Sequence, residues 1–216
     1  MRIQNNTFPI VLDILQLVLA GGKVMGRSKE FEESIVLQKA MELFWKQGYE
    51  NTSLSDLVEH MGIHRRSLYD TFGDKHTLFL KAIDCFGEFI KARLKSEISR
   101  AETAKQAIQC IFDFMIEESG DRALGCLFVN SATEMAPRDK EVEEKAKEAF
   151  MQLEHLLADL IRKGQQTGEF PCEYDAEVLA ENLHNTLIGI RVLARTSASK
   201  EKLRRIAEFS LAILNE

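Results

Sequence analysis

Five side chains in a run of six, His64, Arg65, Arg66, Ser67 and Tyr69, have the chemistry to grip nucleic acid. A guanidinium can hold the edge of guanine through two parallel hydrogen bonds, and Arg, Ser and Tyr can also take phosphate oxygens. Other chemistries find little support. Cys85, Cys110, Cys126 and Cys172 form no C-x-x-C pair, and no His stands at zinc-finger spacing from them. They read as buried thiols in a reducing cytosol, which makes the expected location cytoplasmic. His155 and His184 are isolated, so neither is expected to ligate a metal. With no phosphate-binding glycine motif and no nucleophile–base pairing, the chain reads as neither an enzyme nor the holder of a cofactor.

Donors of this kind need a rigid element to present them. Ser53 with Asp56 has the form of a capping box, and Leu54, Leu57, Val58 and Met61 follow at helical spacing. Gly62 then suits the left-handed turn that ends a helix. A second short helix over residues 65–72 turns Ile63, Leu68 and Phe72 inward and leaves the five donors outside. Two such helices at a tight turn make a helix-turn-helix, whose second helix enters the DNA major groove. Asp74 reads as the N-cap of the next helix, which puts Lys75 in a first turn whose open amides suit a phosphate.

Any pair of short amphipathic helices around a glycine would share this outline, and it is the flanking residues that narrow it. Leu43, Phe44, Gly48 and Tyr49, then Thr52 and Ser53, Gly62 and Ile63, and finally Leu68, Tyr69, Phe72 and Lys75 together resemble the pattern of TetR/AcrR transcriptional regulators. The resemblance covers roughly residues 33–80. It implies DNA contacts from Thr52, Ser53, His64, Arg65, Arg66, Ser67, Tyr69 and Lys75. Two departures bear on base preference: His64 replaces the usual Ser or Thr cap, and Arg66 stands where Gly is frequent.

With 45% hydrophobic and 29% charged residues and only 3 Pro, the 216-residue chain fits a globular, all-α protein. The net charge of −6 is unevenly spread. Residues 26–81 carry 8 Lys and Arg against 9 Asp and Glu, whereas residues 82–216 carry 18 against 24. The acidity thus lies mainly outside the helix-turn-helix, but no broad basic patch marks a non-specific DNA coater.

About nine helices are expected. The first spans 31–47, with Val36, Ala40, Leu43 and Phe44 apolar and Trp45 and Tyr49 packing. The fourth runs from Asp74 to about Ser99, the fifth over 103–119, the sixth from Gly125 to before Pro137, and the seventh from Asp139. The eighth covers about 175–195 and the ninth 200–214. Domains are placed at 26–75 for the DNA-binding head and 76–216 for a ligand-binding and dimerisation body. The family resemblance implies a pocket among the fourth to eighth helices, with Phe86, Phe89, Ile90, Phe112, Met115, Cys126, Phe128, Phe150 and Leu183 as candidate lining. That list points to an apolar or aromatic effector. The last two helices resemble the family's dimer-forming pair, giving Leu187, Gly189, Ile190, Leu203, Ile206 and Ser210 as interface candidates and a close helix approach as a reason for Gly189. The resulting expectation is a homodimeric repressor on a palindromic operator, released by a small molecule. The alternative is a thiol-based sensor acting through Cys126, which falls at the start of the sixth helix, where the dipole favours thiolate.

Residues 1–25 differ from the rest. Phe8 to Ala20 is apolar but interrupted by Pro9, Asp13 and Gln16, too short and broken to span a bilayer, so no membrane partner is expected. Met25-Gly-Arg-Ser-Lys resembles the usual start of these regulators, so a mis-assigned start is preferred over an added amphipathic helix or an export signal.

Overall fold

The computed structural model describes residues 27–117 and 124–215, with side chains from residue 33 onward. The expectations for residues 1–25, and for the chain between 118 and 123, fall outside the described residues. Among the described residues the chain is all-α. The helices are α1 (Arg27–Gln47), α2 (Leu54–Met61), α3 (Arg65–Phe72), α4 (Lys75–Ile98), α5 (Ala104–Glu117), α6 (Leu127–Glu134), α7 (Lys140–Thr167), α8 (Ala176–Ala194) and α9 (Lys200–Leu211), closed by a 3-10 turn, Ala212–Asn215. The first helix begins earlier than the apolar stripe suggested, and the last tightens to 3-10 geometry over its final residues.

Local chemistry sets the boundaries around the helix-turn-helix. Ser53 Oγ accepts the Asp56 amide at 3.1 Å while Asp56 accepts the Ser53 amide at 2.8 Å, closing the capping box. At the other end of α2, Gly62 takes φ 72, so that its own amide reaches Glu59 O and the Ile63 amide reaches Val58 O. This is the paired closure of a Schellman motif. His64 holds the N-cap of α3 without a side-chain bond, as expected for imidazole. Asp74 caps α4 by accepting the Thr77 amide at 2.7 Å.

The apolar faces of these helices build two cores. The first gathers Phe44, Leu57, Leu68, Phe72 and Phe79, and continues beyond the helix-turn-helix to Phe86 and Phe89 of α4, and Leu127 of α6. The second joins α5, α7, α8 and α9 through Ile108, Phe112, Leu157, Leu183, Ile190 and Leu203. Helix α4, 24 residues and about 36 Å long, contributes to both. An edge-to-face series runs across the junction: Trp45 to Phe86 at 4.8 Å, then Phe86 to Phe128 at 5.4 Å.

A polar joint lies beside that series. Glu134, at the end of α6, accepts the Tyr49 amide at 3.0 Å and the Glu50 amide at 2.8 Å, tying the α1–α2 turn to the body. Gly48 is needed there twice over. It has φ 83, and an added Cβ would stand 2.7 Å from Glu134 Oε2. Arg138 pairs with Glu50 at 2.8 Å and His76 with Asp139 at 2.7 Å, both across the same joint.

Candidate nucleic-acid interface and cavity

The α3 N-terminus presents His64, Arg65, Arg66 and Ser67 as an exposed run, with Tyr69 43% exposed beside it. Neither guanidinium is tied down tightly. Arg66 is 92% exposed and 3.6 Å from Asp70, and Arg65 lies 5.9 Å from the Tyr69 ring centre. Loose surface pairs of this kind are worth little and leave both side chains able to turn to a ligand. Ser53 is exposed, its hydroxyl already serving the cap. Thr52 departs from the expected contact set. It is only 1% exposed, and its hydroxyl donates to Gly48 O at 2.6 Å, so it braces the α1–α2 turn instead of facing outward. Lys75 is half-buried with its ammonium 4.1 Å from the Tyr49 ring centre, a cation–π seat at the first turn of α4. Hydrogen bonds from Ser53 hold the Asp56 carboxyl below its ordinary range, and the Thr77 amide does the same for Asp74. Both carboxylates are therefore ionised at neutral pH.

Among the described residues, one cluster at the joint has metal-ligating side chains close together: His76, Asp139 and Glu141, with ligand atoms within 4.8 Å of one another. Asp139 spends one oxygen on the Val142 amide, capping α7, and the other on His76. The geometry is that of a structural pair that docks the start of α4 on the start of α7.

Farther from the head, α4, α5, α6, α7 and α8 line a cavity of about 750 Å³. Of the expected lining, Ile90, Met115, Cys126, Phe128 and Phe150 are in its wall. Phe86, Phe89, Phe112 and Leu183 are not: the first two fill the head-side core and the others the body core. Gly87 of α4 makes room for Phe128, whose Cζ would stand 3.2 Å from a Cβ there. Cys126 holds the N-cap of α6. Sequence reasoning missed the polar part of this wall. His184 is buried, its Nδ1 2.7 Å from Glu154 Oε1 and its ring 5.5 Å from that of Phe150. Arg191 is 4% exposed and donates from Nη1 to Met115 O at 2.6 Å and from Nη2 to Gly125 O. A readable signal existed, since His184 and Arg191 fall seven residues apart within the apolar face of α8.

The expected interface residues divide. Leu187 is in the cavity wall, Ile190 and Leu203 are core, and Ile206 and Ser210 are half-buried. Gly189 is exposed, and among the described residues nothing lies within 4 Å of an added Cβ, so no described helix of the subunit approaches it. The outward apolar residues of α8 and α9 are instead Val178, Val192 and Phe209, the last 85% exposed.

A capped helix-turn-helix carried on a helical body is the architecture of a DNA-binding regulator. Residues 36–82 match the model of bacterial regulatory proteins of the tetR family, and residues 104–209 match the tetracyclin repressor-like C-terminal domain. Among relatives, the uncharacterized HTH-type transcriptional regulator YezE of Bacillus subtilis (strain 168) is 35% identical over 194 residues, covering 88% of this chain and all of its own length. The HTH-type transcriptional repressor ComR of Escherichia coli (strain K12) is 32% identical, covering 90% of this chain and 94% of ComR. A solved structure of a cysteine mutant of the TetR family regulator CifR, complexed with a 26-bp operator, superposes with TM-score 0.75 at 25% identity, over 89% of this chain and all of that one. A TetR family regulator of Cytophaga hutchinsonii gives TM-score 0.78 at 23% identity, over 89% and 96% of the two chains. The chain belongs to the TetR family of transcriptional regulators.

Among the described residues no helix is long and apolar enough to cross a membrane.

Proposed function

We propose that the protein is a cytoplasmic repressor that binds a palindromic operator as a homodimer and leaves it when a small molecule fills the cavity. The observation that carries this reading is the continuity of α4. Its first turn holds Lys75 beside the recognition helix, and its second half supplies Ile90 to the cavity wall. A ligand releases DNA only by binding the released conformation more tightly than the DNA-bound one. A side chain or ligand that pushes the far half of α4 tilts its near end and changes the separation of two heads that must meet half-sites about 34–36 Å apart. A coupling of about 1–3 kcal/mol weakens operator binding roughly 5–150-fold. The relatives support the repressor role, since ComR is a named repressor and CifR is bound to its operator.

Footprinting on the chain's own upstream DNA tests the first half of the reading. Arg65→Ala or Arg66→Ala should lose about 1–3 kcal/mol of operator affinity where the side chain reads a base, and should lower the salt slope by about one unit where it meets phosphate. Unchanged affinity in both variants would remove α3 as the reader. Met115→Trp, which fills the cavity far from the head, tests the second half: induction by cavity ligands should be mimicked or blocked. If induction survives intact, the signal enters elsewhere. Cys126, at the N-cap of α6 and in the same wall, supports that second reading as a thiol sensor. Cys126→Ser would then abolish release by oxidants while leaving release by organic ligands unchanged.

A further inference from the structure

Among the described residues, no carboxylate pairs with the buried cation in the cavity wall. Arg191 is 4% exposed, its two Nη groups donate to backbone carbonyls, and its Nε is buried with no hydrogen-bond partner among the described residues. Met115 O belongs to the last turn of α5, so the negative end of that helix offsets part of the charge, equivalent to about half a unit at most. The remainder is a desolvated positive charge at the cavity wall, which an anion in the adjoining cavity would stabilise. The rest of the wall leans the same way. Among the described residues, Lys91 and Lys95 join Arg191 there against one carboxylate, Asp159, which is engaged by Arg162 at 2.7 Å. Glu154 is turned to His184. Between these charges the wall is apolar, supplied by Ile90, Leu94, Leu153, Leu156 and Leu187.

We infer that the cavity takes an organic anion with an apolar body, its charged group paired with Arg191 and its body along the leucine-rich wall. The inference rests on the reading of this cavity as the effector site, and narrows the expected apolar or aromatic molecule to an amphipathic anion. A carboxylate or a sulfonate would serve, because both present planar or forked oxygens to a guanidinium. Exposed Lys91 and Lys95, on α4 at the cavity, add attraction for the incoming anion without fixing its pose.

Two dyes with the same ring skeleton provide the test on the full-length protein: anilinonaphthalene sulfonate and its uncharged counterpart, N-phenylnaphthylamine. Wild-type protein should bind the sulfonate about 10- to 100-fold more tightly, the range expected for a charge-assisted hydrogen bond. Decanoate should displace it at lower concentration than decanol. Ile188→Glu sets a carboxylate three residues from Arg191 on the cavity side of α8, and Arg191→Met removes the cation. Either should bring the two dyes to near parity. If Arg191→Met does not fold, the wild-type comparison and Ile188→Glu still decide. Equal binding of both dyes to wild-type protein overturns the anion inference and leaves the effector cavity standing. If neither dye binds, both readings fall together.

Discussion

Burial, reinforced by the neighbouring Asp84 carboxylate, pushes the Cys85 thiol up from an ordinary 9.0 to about 11. At pH 8 its thiolate fraction is then about 100-fold below that of an unperturbed thiol, so iodoacetamide should label exposed Cys172 rapidly and Cys85 far more slowly, as mass spectrometry of timed samples would record. Equal labelling rates would contradict the burial. The linkage sign follows from the raised value. The folded chain holds this proton more tightly than the unfolded one, so the contribution is fully present below pH 9 and is lost as pH rises through 11. Single residues differed in how far the sequence betrayed them. Ser53, Asp56, Gly62 and Asp74 were legible because their roles are local, decided within four residues. Thr52 was not, because its hydroxyl turns back to Gly48 only once the α1–α2 turn has formed. Phe86 and Phe112 are as apolar as Phe128 and Phe150, and composition alone cannot separate core from cavity wall.

Among the elements, α6 has the clearest mechanical position. It starts in the cavity wall at Cys126 and Phe128 and ends with Glu134 clamped on the head. Glu134→Ala should cost about 1–2 kcal/mol by leaving two amides without their acceptor. Gly48→Ala should cost about 1–2 kcal/mol from its left-handed backbone alone, and more in the presence of the Glu134 carboxylate, which the new methyl group would press against. Combined, the two substitutions should therefore cost less than their sum, a coupling that urea unfolding of all four proteins would measure. Strict additivity would show that the contact does not matter. Helix identity and order were readable from periodicity and caps. The clamp was not, since 84 residues separate Glu134 from Glu50 and no local pattern announces so distant a contact.

For the molecule as a whole, the resemblance of α8 and α9 to a dimer-forming pair suggested more interface residues than the fold leaves free. Leu203 is 1% exposed inside its own subunit, so Leu203→Glu should unfold the chain instead of separating a pair. Phe209, 85% exposed, and Val192 on α8 are the better probes. Phe209→Glu should keep the helical content and melting temperature of the subunit while shifting sedimentation from dimer to monomer. Operator affinity should fall with it, because one head alone meets one half-site. Wild-type protein sedimenting as a monomer at micromolar concentration would reject the dimer outright.

The carboxylate of Glu134 and the Trp45–Phe86–Phe128 series also bear on how the protein could be taken apart and rebuilt. A cut after residue 75 would strip the reader of Phe79, Phe86 and Leu127, and leave the turn at Tyr49 without its acceptor. A chimaera that grafts residues 27–75 onto a foreign sensor should therefore be poorly soluble, whereas one that also carries the first half of α4 and all of α6 keeps its packing. The seam for such a transplant is a surface shared by four helices, not a point along the chain.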